Sequence, residues 1–508
     1  MDLDRSVCDR ARRSRDARFD GRFFIGVTST RIYCRPICPA RAPKDEHIRY
    51  FPTAAAAEAE GFRPCLRCRP EASPGTPAWI GNGVVSRALR LIAEGALDDQ
   101  GVEQLSDRVG VTGRHLRRLF VQHLGAKPLD VALTRRVHFA KKLLDETPLA
   151  MCDVAFAAGF GSVRRFNSQM RRTFGRAPSD LRRSAREKVA AGPERYRFRL
   201  AYRPPYDWES LLGFLAVRVT PGVESVSDGR YRRTIQIDGK VGVIDVCHLP
   251  SRGALGVEVH FPEPRALLPI VERIRRLFDL GADPRIIGAQ LGGDRLLAGP
   301  LSAWPGIRSP GAWDGFEVAV HALLGGPRAL RASTALAGRL ASLFGSPVAN
   351  ADGLSRLFPT PAQLAEAPIE RAGVAPPRAA AIRSIAGRIA AQGIGNADSG
   401  AIAALSALET VDDDVLQYAA MRSPGEPDAF PRGDAALRRA AGGCTARALE
   451  RRSAAWRPWR AYAALLLWRH AASNGIATKR PVFPPRTSRS ERTPLRLEDQ
   501  WPIGLTER

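Results

Sequence analysis

The sequence predicts a multidomain α+β protein: a small four-cysteine domain, an all-α segment, an antiparallel-sheet α+β segment and a second all-α segment. Three observations predict it. At 508 residues the chain is too long for one hydrophobic core and implies about three or four domains. Two close cysteine pairs, Cys34/Cys38 and Cys65/Cys68, open the chain. Apolar residues recur with helical spacing from Gly83 to about Arg186, alternate between Tyr196 and Phe261, and return to helical spacing from residue 306 to about 475.

Lys plus Arg number 77 against 52 Asp plus Glu, a net charge of +25, which points to a polyanionic partner. Four of the eight cysteines fall into the pairs, and Cys8, Cys152, Cys247 and Cys444 are scattered singly. That usage fits a reducing compartment without a disulfide framework. The N-terminus has no apolar signal region and no segment approaches about 18 uninterrupted apolar residues, so a cytoplasmic protein with no membrane partner is expected. No small-molecule redox cofactor is expected either.

Within residues 1–78, Arg22 to Thr28 reads as a strand, Thr53 to Glu60 as an alanine-rich helix, and Glu71 to Pro77 as a linker. Pairs spaced Cys34/Cys38 and Cys65/Cys68 suit one zinc ion held by all four thiolates, each pair spanning an edge of a tetrahedron. On spacing alone a purely structural site is the ordinary outcome. Arg31, Tyr33, Arg35, Arg41, Arg63, Arg67 and Arg69 crowd the ligands, however, and a coordinated thiolate stays deprotonated at neutral pH and can act as a nucleophile. The segments Phe23–Val27, Ile32–Arg41 and Gly61–Cys68 resemble the N-terminal domain of the Ada family. That resemblance implies that the first cysteine of the first pair, Cys34, irreversibly accepts a methyl group from an alkylated DNA phosphate, while Cys38, Cys65 and Cys68 stay structural ligands.

Residues 83–186 carry 19 Lys/Arg against 10 Asp/Glu and hold two helix-turn-helix units about 50 residues apart. The first runs through Gly101–Val109 and Thr112–Phe120, the second through Met151–Ala158 and Ser162–Met170. Arg114, Arg117, Arg164, Arg165 and Asn167 are free to reach DNA, whereas Leu116, Leu119, Phe120 and Phe166 must fill the helix interfaces. A solvated helix face is the plain alternative for any one arginine. The pair, with the tail Phe174–Arg182, resembles the AraC-type DNA-binding domain, which implies promoter DNA and RNA polymerase as partners.

After the charged connector 184–194, residues 195–305 alternate. Tyr196–Arg203, Leu215–Thr220, Arg230–Ile237, Val241–Leu249 and Ala254–Phe261 read as strands, followed by a helix over Arg265–Leu280. Residues 306–475 read as helices, and 476–508 as a basic tail. The words Tyr231–Ile235, Leu277–Leu280, Pro310–Glu317, Tyr418–Arg422, Pro427–Phe430 and Trp456–Tyr462 resemble AlkA, the helix-hairpin-helix glycosylase that excises alkylated bases such as 3-methyladenine. The resemblance implies base flipping, with Asp434 as the carboxylate that stabilises charge on the sugar and Tyr418 and Trp459 lining the base pocket. Local sequence alone makes Asp434 an N-cap for Ala435–Ala440.

The chain departs from that family at the hairpin. Leu408–Leu416 stands where a glycine-bearing turn docks a DNA phosphate, and it carries Glu409, Asp412, Asp413 and Asp414, the last in place of a pocket tryptophan. Gly325–Arg328 replaces a glutamine-containing stretch. Two readings follow. One is a methyl acceptor, regulator and alkyl-base glycosylase in one chain; the other is a damage-sensing transcription factor whose glycosylase domain is degenerate and inactive.

Overall fold

The computed structural model describes residues 4–77, 81–98, 100–183, 194–351, 353–392, 397–409, 411–423 and 425–473. The connector over 184–193 and the tail over 476–508 lie outside them. The fold is multidomain α+β.

The first segment wraps α1 (Arg5–Arg13) and α2 (Ala54–Ala59) around a sheet of β1 (Phe24–Val27), β2 (Ile32–Cys34), β3 (Ile48–Phe51) and β4 (Arg63–Pro64), in the order β3-β1-β2-β4. Asp4 caps α1 and Thr53 caps α2, the latter accepting the Ala56 N–H at 3.0 Å. Gly26 lies where the rings of Phe51 and Phe62 close in; a Cβ there would stand 2.5 Å from Phe51.

Seven helices follow: α3 (Gly83–Ala93), α4 (Val102–Val109), α5 (Gly113–Leu124), α6 (Pro128–Glu146), α7 (Met151–Ala157), α8 (Val163–Phe174) and α9 (Pro178–Arg183). Helices α5 and α8 are built alike. Each has 12 residues, begins at a hydroxyl cap (Thr112 or Ser162) and ends at a glycine with φ near +70° (Gly125 or Gly175). They bury Leu116, Leu119, Phe120 and Leu124 in one, and Phe166, Met170, Thr173 and Phe174 in the other. The duplication visible in the sequence is therefore a duplication of caps as well as of apolar faces.

The antiparallel sheet contains β5 (Arg195–Ala201), β6 (Glu224–Ser227), β7 (Arg230–Ile237), β8 (Lys240–Leu249) and β9 (Ala254–His260), ordered β5-β9-β8-β7-β6. One expectation is corrected here. The stretch Leu215–Thr220 is not a strand: Leu215 belongs to helix α10 (Trp208–Ala216), capped by Asp207, and the edge strand is β6. The apolar run buries Trp208, Leu211, Leu212, Phe214 and Leu215, and a short run buried on several sides carries no periodicity to separate helix from strand. The sheet is backed by α11 (Leu267–Leu277), α12 (Pro284–Leu291) and α13 (Arg295–Ala303).

The last segment comprises α14 (Gly315–Leu323), α15 (Leu330–Phe344), the two-stranded β10 (Pro347–Ala351) and β11 (Leu354–Arg356), then α16 (Pro361–Glu366), α17 (Pro376–Gln392), α18 (Ala397–Ser406), α19 (Asp413–Arg422), α20 (Ala435–Ala440), α21 (Ala446–Ser453) and α22 (Arg460–Ser473). One continuous core joins α6–α8, the sheet and α20–α22, with Phe139 of α6 against Phe198 of β5, ring centroids 6.2 Å apart. Helices α14–α18 pack around a second core. No described helix is long and apolar enough to cross a membrane.

Candidate metal centre and nucleic-acid interface

Parallel pairing of β2 with β4 assembles the metal centre. It sets Ile32 beside Arg63 and Tyr33 beside Pro64, and the Cys65 N–H donates to the Tyr33 carbonyl at 2.9 Å. Cys34 at the end of β2 thereby meets Cys65 just after β4. The four sulfurs of Cys34, Cys38, Cys65 and Cys68 lie within 4.8 Å of one another. A tetrahedral zinc site with Zn–S of ~2.3 Å places sulfurs about 3.8 Å apart, so this all-thiol donor set fits one zinc ion. Cys65 and Cys68 are buried, whereas Cys34 and Cys38 are partly exposed.

The arginines around the ligands divide into two groups. Arg35 donates its backbone N–H to Cys68 Sγ at 3.3 Å and pairs with buried Asp20, its Nε 2.8 Å from Oδ1. Arg69 pairs with Glu71 at 3.1 Å and with Asp145 of α6 at 2.5 Å, and Arg31 reaches the Glu60 carbonyl and stacks on Phe62. Tyr33 is fully buried, its hydroxyl 2.8 Å from Glu58 and 3.0 Å from His138 of α6. These residues build the site. Arg41, Arg63 and Arg67, near the ligands in sequence, are exposed. Asp20, Glu58 and His138 had no signal in the sequence, because each acts across a long separation that no spacing rule connects.

On the helix-turn-helix units, Arg114, Arg164 and Arg165 are exposed near the starts of α5 and α8, and Asn167 is half-buried. Arg117 is held by Glu103 of α4 at 2.7 Å, which neutralises its charge in the free protein.

In the C-terminal segment, Asp434 caps α20. Its Oδ1 accepts the N–H groups of Ala436 and Leu437 at 2.9 Å each and the Trp468 indole at 3.0 Å. The Tyr418 hydroxyl accepts from Arg218 Nε at 2.7 Å; burial pushes its pKa up, but Arg218 and Arg422 outweigh that and hold it below the usual value. Tyr418 and Asp434 both neighbour Trp468, the Tyr418 ring with its centroid 6.3 Å from that of the indole and Asp434 accepting the indole N–H. Trp459 lines a cavity of about 900 Å³, and Tyr418 a separate one of about 60 Å³. Arg422 and Ala312 line both cavities, and Asp434 lines neither. The three residues are neighbours but are not gathered in one open pocket.

The acidic hairpin is used structurally. Asp412 caps α19, accepting the Asp414 N–H at 3.0 Å. Asp414 Oδ1 accepts the Gly433 N–H at 2.7 Å, and Gln417 accepts the Phe430 N–H at 3.0 Å, so α19 holds the loop that ends at Asp434.

Three family models match the chain: the metal binding domain of Ada over residues 7–71, a helix-turn-helix domain over 105–184 and the AlkA N-terminal domain over 197–314. A probable bifunctional transcriptional activator/DNA repair enzyme AlkA of Mycobacterium tuberculosis is 41% identical over 476 residues, covering 91% of this chain and 95% of the relative. DNA-3-methyladenine glycosylase 2 of Escherichia coli is 31% identical over 282 residues, 53% of this chain and 96% of that protein. The bifunctional transcriptional activator/DNA repair enzyme AdaA of Bacillus subtilis is 30% identical over 173 residues, 34% of this chain and 79% of that protein.

Proposed function

The chain belongs to the family of bifunctional transcriptional activators and DNA repair enzymes, and on that premise we propose that it takes methyl groups from DNA phosphotriesters onto Cys34 and uses the methylated state to activate repair genes. The observation that carries this is the partial exposure of the first cysteine pair, while the second pair is buried. When bound, zinc keeps the thiols deprotonated at neutral pH. Arg41, Arg63 and Arg67 bring the methylated backbone to the thiolate. The Cys34 sulfur lone pair forms the new S–CH3 bond as the C–O bond to the phosphotriester breaks, and the electron pair leaves with the oxygen as a phosphodiester anion. No proton moves, and the S-methyl product has no route back.

Exposed Arg114, Arg164 and Arg165 then serve promoter DNA, and RNA polymerase is the partner that activation requires. The cytoplasm is the compartment in which free thiols and DNA meet. Mass spectrometry of the full chain after incubation with methylated DNA should place one methyl on Cys34. Undiminished transfer in Cys34→Ala would overturn the assignment and direct attention to Cys38.

For the C-terminal half we assign excision of alkylated bases to Asp434 with Trp459 and Tyr418. The use of Asp414 as a loop anchor favours a second reading, a glycosylase fold serving the regulator without turnover, because the hairpin offers a phosphate carboxylates and no glycine N–H groups. Release of 3-methyladenine that disappears in Asp434→Asn separates the two.

A further inference from the structure

Helices α20 and α21, with the turn between them, carry more positive charge than their neighbours neutralise. From Ala435 to Arg452 there are five arginines and a single carboxylate, Glu450. The inner sides of the two helices are apolar: Ala436, Leu437, Ala440 and Leu449 belong to the core shared with the sheet. Three of the charged groups are already engaged. Arg438 donates to the Cys444 carbonyl at 2.9 Å, Arg452 pairs with Asp294 of α13 at 2.6 Å, and Glu450 pairs with Arg460 at 3.2 Å. Arg439, Arg447 and Arg451 are exposed, and no side chain of the three has a hydrogen bond or ion pair with a described residue. Arg447 and Arg451 stand about one turn apart on α21, on the side opposite buried Leu449 and Ser453. Arg439 lies in the last turn of α20, and the connection beyond it is open, since a Cβ at Gly442 or Gly443 would meet nothing within 4 Å.

We propose that Arg439, Arg447 and Arg451 form a face that holds the phosphate backbone of duplex DNA, in place of the acidic hairpin before α19. The proposal rests on DNA as the family's partner and on neither reading of excision. Asp412 and Asp413 of the hairpin are exposed carboxylates, which repel a phosphate and cannot donate a hydrogen bond to it. The three guanidiniums do the opposite. Each offers a fork of N–H donors that matches phosphate oxygens, and each phosphate neutralised releases counterions. A face that only keeps the chain soluble mixes both signs, as where Arg383 of α17 is closed by Glu370 at 2.8 Å. Here no carboxylate closes the three cations among the described residues. The face is also set before DNA arrives. Asp294 caps α13, binds Arg452 and accepts the Trp456 indole N–H at 2.8 Å, which fixes the C-terminal end of α21 against α13. Binding then has to order little beyond the arginine side chains themselves.

The test uses the full zinc-loaded chain and an undamaged duplex without promoter sequence. Arginine modification by phenylglyoxal, read by mass spectrometry on the parent protein, should slow at Arg439, Arg447 and Arg451 when the duplex is bound. Arg331, Arg371 and Arg388, exposed on the segment from α15 to α17, should keep their rates. In the triple variant Arg439→Gln, Arg447→Gln, Arg451→Gln, the slope of log affinity against log salt should flatten by about 2.7, three phosphates at ~0.9 each. The control Arg331→Gln, Arg371→Gln, Arg388→Gln loses the same charge and should flatten it far less. Modification rates at the three arginines that DNA leaves unchanged overturn the proposal, and so does a slope change no larger than the control's. Slowing by polyglutamate of matched charge but not by the duplex overturns DNA as the occupant.

Discussion

The Asp414 carboxylate has a definite structural task, and removing it should loosen the loop that presents Asp434. Oδ1 accepts the Gly433 N–H at 2.7 Å. A hydrogen bond to an ionised acceptor contributes about 1.5–3 kcal/mol, so Asp414→Ala should cost that much locally and leave an amide without its acceptor. Because about 1.4 kcal/mol is a factor of ten, amide exchange across residues 428–437 should accelerate roughly ten- to hundredfold, with little change in α14–α17. Asp414→Asn keeps a neutral acceptor and should lie between. Gly433→Ala attacks the same contact from the other side, since its Cβ would stand 2.2 Å from Asp414 Oδ2. Combining it with Asp414→Ala should cost less than the sum of the two single changes. Hydrogen exchange by mass spectrometry on the full chain reads all four proteins. Parent-like protection of 428–437 in Asp414→Ala would refute the anchoring argument, and strict additivity in the double variant would refute the steric one.

Four further outcomes are expected. Chelation of zinc, or Cys65→Ser, should unfold residues 7–71 and also deprotect α6, because Glu58 and Arg69 of that domain hold Thr134, His138 and Asp145; exchange of α6 unaffected by chelation would contradict this. Methylation of Cys34 removes about one negative charge from a zinc–thiolate cluster of about −2, so promoter affinity should rise and the gain should shrink as salt is raised, as titration at several salt concentrations will show. Arg114→Ala, Arg164→Ala and Arg165→Ala should each reduce the salt slope of DNA binding by about 1, whereas Arg117→Ala should reduce it less because Glu103 already neutralises that guanidinium. Asp294 caps α13 and pairs with Arg452 and the Trp456 indole, which hold its pKa near 2. Its pKa is depressed on folding, so its contribution of about 2 kcal/mol is present above about pH 3.8 and lost as pH falls through 2; acid unfolding of Asp294→Ala should lose that part of the pH dependence.

The parts of this molecule that local rules govern were legible in its sequence. Paired cysteines announce a four-thiol site because tetrahedral geometry needs short loops, and α5 and α8 announce themselves because cap, apolar face and glycine terminator all repeat at matching offsets. Asp434 was legible as an N-cap for the same reason. What was hidden depends on distant partners. The arginines near the cysteines look equivalent in sequence, yet Asp20 claims Arg35, and Glu71 with Asp145 claims Arg69, leaving Arg41, Arg63 and Arg67 for a ligand. The carboxylates of the hairpin looked like a repulsive patch because the N–H of Gly433 lies 19 residues from Asp414. The misread strand at Leu215 has a simpler cause: residues 211–217 carry no polar side chain, so the end of the helix has no period to read.

Helix α6 joins the four-thiol domain to the helix-turn-helix units. Tyr33, adjacent to Cys34, reaches His138 directly and shares Glu58 with His138 and Thr134, while Arg69, adjacent to Cys68, reaches Asp145, which also binds Lys141 at 2.6 Å. The same domain touches the C-terminal ends of both α5 and α8: Thr53 donates to the Leu124 carbonyl at the end of α5, and a Cβ on Gly175, past α8, would lie 2.7 Å from Arg63 Nη1. Several of these groups are buried charges, and taking one partner from such a pair costs about 3–5 kcal/mol. The four-thiol domain is therefore firmly tied to α6 and to the end of α5. On the function proposed above, a duplex engaged by Arg114 and Arg164 would also present its backbone to the four-thiol domain, and a change of charge at Cys34 would act on DNA already aligned by the helices. On that proposal, the effect of methylation on promoter affinity would require no separate conformational messenger, only the removal of a local repulsion beside the bound backbone.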